Sequence, residues 1–132
     1  MKPFLFIALM LLSNDVAYAE WILLTTDGKG NAVYTDPETV RRNGNLVNIW
    51  VLLDSHTVHE TIEGVPFLSS RTLHQYDCRK GRFRFLGFSL FSDNMGSGQI
   101  IHSNREILDW EPVPQKGVAR RLLKFVCQRN DY

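Results

Sequence analysis

Cysteine is scarce in this sequence, with 2 residues among 132 and no C-x-x-C spacing, so a redox-active pair has no visible basis. Charge of one sign is not in excess either. With 15 Lys and Arg against 14 Asp and Glu, the net charge is +1, which implies neither a nucleic-acid binder nor a strongly acidic solvating protein. Beyond the N-terminal segment no apolar run is long enough to span a bilayer. Internal repeats, low-complexity tracts and linkers are absent as well, which leaves residues 20–132 as one domain of ordinary size. No G-x-S-x-G surrounds Ser69-Ser70, Gly96-Ser97-Gly98 lacks the following helix that a phosphate cradle needs, and no paired-acid spacing supports glycosidase chemistry.

What is present begins with a leader. Lys2 supplies a short positive region, Phe4 to Leu12 is an uninterrupted apolar run, and Ala17-Tyr18-Ala19 offers small residues where a signal peptidase requires them. Residues 1–19 are therefore expected to be a cleavable signal peptide, cut before Glu20. A transmembrane helix would need about 20 apolar residues, and this run breaks at Ser13-Asn14-Asp15. Loss of the leader removes Lys2 and Asp15 together, so the net charge is unchanged. In an oxidising compartment Cys78 and Cys127 are expected to form a disulfide. Closing a loop of about 50 residues contributes on the order of 4 kcal/mol in the chain-entropy model.

The remaining pattern is mostly that of strands. Trp21 to Asp27 and Ala32 to Asp36 flank Asp27-Gly28-Lys29-Gly30-Asn31 and read as a hairpin. Asp36 and Pro37 open a short capped helical turn. From Leu46 to Asp54, Val47, Ile49, Val51 and Leu53 share one face while Asn48, Trp50 and Leu52 share the other, so this strand is expected to be central. His56 to Gly64 reads as a loop or hairpin tip, and Val65 to Cys78 as a long returning strand. After the turn at Arg79-Lys80-Gly81, Phe83 and Phe85 have the opposite parity to Leu86, Phe88 and Leu90, which predicts a bulge near Leu86 or Gly87. A glycine-rich turn at Asp93 to Gly98 leads to a short strand at Gln99 to Ser103. Between Val118 and Cys127 the period changes: Ala119, Leu122, Leu123, Val126 and Cys127 fall in one helical arc, with Arg120, Arg121 and Lys124 opposite. The expected fold is α+β, an antiparallel β-sheet meander of about five or six strands with a C-terminal α-helix packed on it and pinned by the disulfide.

Few residues point to chemistry. His56-Thr57-Val58-His59-Glu60 is the most enzyme-like string, but a zinc helix places its two histidines four apart, and these are three apart in a β-branched segment with no evident third ligand. His74 and His102 fall on expected strands. No catalytic constellation, metal site or cofactor is expected. Cations offer a binding feature instead. Arg79, Lys80, Arg82 and Arg84 form a basic edge at one hairpin, and Arg120, Arg121 and Lys124 a basic face on the helix that the disulfide would hold nearby. They either join into one positive patch for an anionic partner, a polysaccharide or an acidic protein surface, or serve the fold by blocking edge pairing and complementing the helix dipole.

The succession Trp21, Val33-Tyr34-Thr35-Asp36-Pro37, Val40-Arg41-Arg42-Asn43-Gly44 and Val47-Asn48-Ile49-Trp50 resembles the opening of the surface-adhesin protein E-like family of small secreted proteobacterial domains. Tyr76-Asp77-Cys78, Met95-Gly96-Ser97-Gly98, Trp110-Glu111-Pro112-Val113 and Phe125-Val126-Cys127 continue the resemblance in order, across nearly all of residues 20–132. It implies an antiparallel sheet with a C-terminal helix, in agreement with the pattern above. It also implies a non-enzymatic protein of the Gram-negative envelope, periplasmic or secreted to the cell surface, with host matrix or envelope proteins as partners. The family takes its name from an outer-membrane lipoprotein adhesin that engages host extracellular-matrix and serum proteins. This chain departs from that adhesin in having no cysteine near the expected cleavage site on which a lipid could be built. A different class fits the same composition: a secreted enzyme inhibitor of the lysozyme-inhibitor kind, whose loop plugs a catalytic cleft.

Overall fold

Residues 20–128 are described in a computed structural model; the expected leader, residues 1–19, lies outside the described residues. Along the chain run β1 (Ile22–Thr26), β2 (Asn31–Thr35), β3 (Arg41–Asn43), β4 (Leu46–Glu60), β5 (Pro66–Asp77), β6 (Arg82–Phe91), β7 (Ile100–Asn104), β8 (Glu111–Pro112) and α1 (Val118–Cys127). All pairings are antiparallel, in the order β1-β2-β4-β5-β6-β7, and the two short strands β3 and β8 pair beside β4 and β6. The path is thus a six-strand meander within an eight-stranded sheet. β3 and β8 escape a pattern search because two or three residues hold no alternation to read.

Local chemistry explains the turns. Asp36 accepts a hydrogen bond from the Glu38 N–H at 3.0 Å and caps a single 3-10 turn at Pro37–Thr39. Asp27 accepts from the Lys29 and Asn31 N–H groups at 2.7 and 3.2 Å, which closes the β1–β2 hairpin. The segment from His56 onward corrects the sequence expectation. It continues β4 to Glu60, after a register irregularity between Asp54 and His59, and the reversal falls at residues 61–65. β-branched Thr57 and Val58 suit extension, and the His56 N–H finds the Gly30 carbonyl at 3.0 Å, so the backbone there is paired.

The bulge falls where parity slips. Leu73 pairs with Gly87 and His74 with Phe85, leaving Leu86 as the extra residue, so Phe83, Phe85, Phe88 and Leu90 all keep to one face. On that face α1 packs against β4 and β5. Leu122 and Val126 are fully buried among Val47, Ile49, Val51, Tyr76 and Phe83, and Leu123, Val33, Val40 and Val113 complete the cluster. The helix has one apolar stripe and the sheet offers one apolar face, so each satisfies the other. Cys127 at the last helical residue bonds Cys78 just past β5, with Sγ–Sγ 2.01 Å and Cα–Cα 5.6 Å. The disulfide ties the end of α1 to the strand it covers.

Candidate functional site

Alternation along the strands sends every second residue to the side that α1 leaves uncovered. Row by row across β4, β5 and β6, that side carries Asn48, Gln75 and Arg84, then Trp50, Leu73 and Gly87, then Leu52, Arg71 and Ser89. The chain has 3 tryptophans, and each of them meets an arginine here. The Arg71 guanidinium lies 4.6 Å from the centre of the Trp50 ring and 5.9 Å from that of Trp21. Arg82 and Arg84 lie 4.4 and 4.3 Å from the Trp110 ring. All three indoles are half-buried, so each keeps surface in contact with solvent.

The two arginine groups are held differently. Arg82 Nε donates to Asp77 Oδ2 at 3.1 Å, the one ion pair among the described residues, and Arg84 Nε donates to Gln75 Oε1 at 2.8 Å. Both guanidinium planes are thereby fixed against Trp110. Desolvation acts to raise the Asp77 carboxyl, but the Lys80 N–H, the Arg82 guanidinium and the Arg79 N–H outweigh it and hold the group below the usual carboxylate range. Arg71 has no such anchor. Its buried Nε has no hydrogen-bond partner among the described residues, and stacking between indoles positions it.

One end of the open face is roofed by the loop at residues 93–98. Ser69 Oγ donates to the Asp93 carbonyl at 2.6 Å and accepts from the Gly96 N–H at 2.8 Å, while Asp54 accepts from the Met95 N–H at 2.7 Å. Leu52 is fully buried, with its Cδ1 3.4 Å from where a Cβ would stand on Gly96. Between this roof and Trp110 lies a depression of about 330 Å³, lined chiefly by Trp50, Leu73, Gly87, Ser89, Asn104 and Arg105. Gly87 makes its floor. A Cβ there would stand 2.9 Å from the Asn104 carbonyl oxygen, so only glycine lets the chain after β7 approach β6 this closely.

The cations named from the sequence fall into separate groups. Arg82 and Arg84 are on the open face, whereas Arg120, Arg121 and Lys124 ride on α1, with the sheet between. Arg120 is occupied with the fold, donating to the Pro114 and Val113 carbonyls at 2.8 and 3.0 Å. Arg79 and Lys80 sit exposed in the turn after Cys78, their N–H groups directed to Asp77 Oδ1. His59 Nε2 lies 3.0 Å from Ser55 Oγ and 3.4 Å from Asn31 Oδ1, with its ring against Phe67. Among the described residues no three His, Cys, Asp or Glu side chains come together as a metal site would require. As site residues, sequence reasoning missed Trp21, Trp50, Arg71, Arg105 and Trp110. The available signal was the shared parity of Trp50 with Arg71 and Arg84 across antiparallel strands; Trp110 lies in an irregular segment and gives no such signal.

The family model described as surface-adhesin protein E matches residues 21–128. No curated protein sequence matches. Among solved structures, crystal form II of Haemophilus influenzae protein E superposes with a TM-score of 0.66 at 12% identity, covering 86% of this chain and 91% of that one. The crystal structure of protein E from non-typeable Haemophilus influenzae gives 0.63 at 12% identity, covering 87% of this chain and 79% of that one. At that identity the likeness is one of fold. Among the described residues no helix is long and apolar enough to cross a membrane.

Proposed function

Because the chain belongs to the surface-adhesin protein E family, we propose that it is a non-enzymatic, exported envelope module that holds a protein partner, of the host matrix or of the envelope itself, against the open face of its sheet. The observation behind this is that all three tryptophans stack on arginines on the side of the sheet opposite α1. Trp and Arg dominate binding hot spots because they combine large apolar area with directed hydrogen bonds. Here Trp50, Arg71, Arg82 and Arg84 are presented on strands, with Arg82 and Arg84 already oriented, so little ordering is left to a partner. The export half of the proposal is a leader at residues 1–19 removed before Glu20, followed by closure of Cys78–Cys127 outside the cytoplasm.

The test uses the protein recovered from its exporting host. Mass spectrometry is expected to find Glu20 at the N-terminus and both sulfurs oxidised. The recovered protein is then passed over immobilised extracellular-matrix proteins, with lysozyme as a separate target. Trp110→Ala combined with Arg84→Ala is expected to weaken capture by a matrix protein by about tenfold or more, since hot-spot truncations cost upward of ~1.4 kcal/mol. Undiminished capture by that variant would remove the open face from the proposal.

A second reading has one observation in its favour. At the β4–β5 tip Ile62 is fully exposed, with Val58 and Val65 also exposed beside it, as a cleft-plugging loop of an enzyme inhibitor would require. Inhibition of lysozyme that disappears in Ile62→Asp would support it over the adhesin-like role.

A further inference from the structure

We propose that the depression at the centre of the open face is a binding site for a carboxylated sugar ring, as carried on an acidic glycan. The proposal rests on the open face being the side that meets a partner, and it names the chemical group that seats there. The lining is what such a ring needs. Trp50 gives an aromatic wall on which the C–H face of a pyranose stacks, and Leu73 with the bare backbone at Gly87 gives a flat apolar floor. Hydroxyls stand at the rim: Ser89 Oγ and Ser103 Oγ lie 2.9 Å apart, with the Asn104 backbone carbonyl beside Gly87. A volume of about 330 Å³ lies near the low end for small-ligand sites and suits one substituted ring rather than a peptide segment.

The charge selects an acid. Arg105 lines the depression, is exposed, and has no hydrogen bond or ion pair among the described residues. Among the described residues no Asp or Glu lines the depression to neutralise it. Arg71, paired across the strands with Ser89, adds a second guanidinium that no carboxylate among the described residues answers. A carboxylate bound by Arg105 while the ring lies on Trp50 satisfies both features with one ligand. Arg71 acts as a positioning residue, restraining the Trp50 indole from its own side of the stack.

The experiment follows the three indole N–H signals of the exported, disulfide-bonded protein by NMR during titration with N-acetylneuraminic acid, glucuronic acid, galactose and inorganic phosphate. The Trp50 signal is expected to shift saturably with at least one of the acids, at the roughly millimolar affinity that one stacked ring and one exposed ion pair support. Galactose is expected to bind at least about tenfold more weakly. Arg105→Gln, a solvent-exposed change that leaves the core untouched, is expected to abolish the preference for acid over galactose, and Trp50→Ala to abolish both responses. Absence of a saturable Trp50 shift with either acid overturns the proposal, as does an equal response to phosphate, because then the ring contributes nothing. If the acids fail while matrix-protein capture persists and is lost in Trp110→Ala/Arg84→Ala, the sugar site falls and the protein-binding face stands. If the acids bind as described while capture ignores that double variant, the sugar site stands without the protein-binding role.

Discussion

Lowering the pH is expected to destabilise the domain well above the carboxylate range, through His74. This residue is 8% exposed, with Ile49 opposite it on β4 and the Phe85 ring edge-on at 4.9 Å, and its Nδ1 lies 3.1 Å from Tyr76 Oη. Burial disfavours the imidazolium and pulls its pKa from 6.5 to about 3. The folded state therefore takes up this proton far less readily than the unfolded chain. Stability from this source is complete above pH 6.5, and it is lost as pH falls from there toward 3, at about 1.4 kcal/mol per pH unit. Between pH 7.5 and 4.5 the loss comes to about 3 kcal/mol, a large share of a small domain's stability. Urea denaturation followed by tryptophan fluorescence at pH 7.5, 5.5 and 4.5 measures it, with His74→Gln as the comparison. The variant lacks the titrating group, so its stability is expected to fall by about 3 kcal/mol less over the same interval, whatever uniform cost the replacement carries. Asp77, held low by the balance described above, and Asp27, held low by the Asn31 amide and the Lys29 N–H, lose their contributions only as pH drops through and below the usual carboxylate range, in both proteins alike. Parallel profiles for wild type and His74→Gln, or an NMR titration of His74 near 6.5, would refute the reasoning.

Three other outcomes follow from the packing. Replacing both Cys78 and Cys127 with Ser opens a loop of sequence separation 49 and is expected to lower unfolding stability by about 4 kcal/mol in urea melts, with faster amide exchange along α1. Leu122→Ala removes a fully buried side chain between α1 and the sheet, at a cost of about 2–5 kcal/mol by the same assay. Gly87→Ala brings a methyl group 2.9 Å from the Asn104 carbonyl and 3.2 Å from Arg105 Cα, both backbone atoms, so β7 must shift. About 1–3 kcal/mol of destabilisation is expected, with amide exchange accelerating at residues 102–105 before the rest of the sheet.

Much of this architecture is legible in the sequence because it is written in local periods. The helix at Val118–Cys127, the cap at Asp36, the central position of β4 and the bulge at Leu86 each follow from residues within a dozen positions of one another. The disulfide follows from having two cysteines and an expected leader. The length of β4 does not, because the polar run from His56 to Glu60 is held by partners outside itself, Gly30 and residues 66–67. The basic residues show a third case. Phe83 and Phe85 are core-facing, so Arg82 and Arg84 must point away from whatever covers that core. Once the helix is placed on the phenylalanine face, its own cations are on the far side from theirs. Trp110 was beyond reach for another reason: its position over Arg82 and Arg84 is fixed by the path of residues 105–110, where the Leu108 N–H bonds the Phe85 carbonyl at 3.0 Å.

The tryptophans have a structural use that must be separated from a functional one. A single-layer sheet covered on one side leaves its other side in water, and guanidinium stacking shields apolar rings there without a second layer. Were that the whole explanation, the stacks would matter to stability and to nothing else. Their energetic weight at such sites is small, about 0.5–1 kcal/mol for each arginine over an exposed ring. Trp110→Ala, which removes two such contacts and leaves the cluster beneath α1 untouched, is expected to cost less than about 2 kcal/mol in a urea melt. The disulfide-bonded domain would remain folded, and its capture by a matrix protein could be compared directly with wild type. Loss of capture with a folded protein assigns the ring to binding. Loss of fold instead, with destabilisation above about 3 kcal/mol, would make Trp110 a core residue by another name and leave Trp50 and Arg105 to carry the case for the open face.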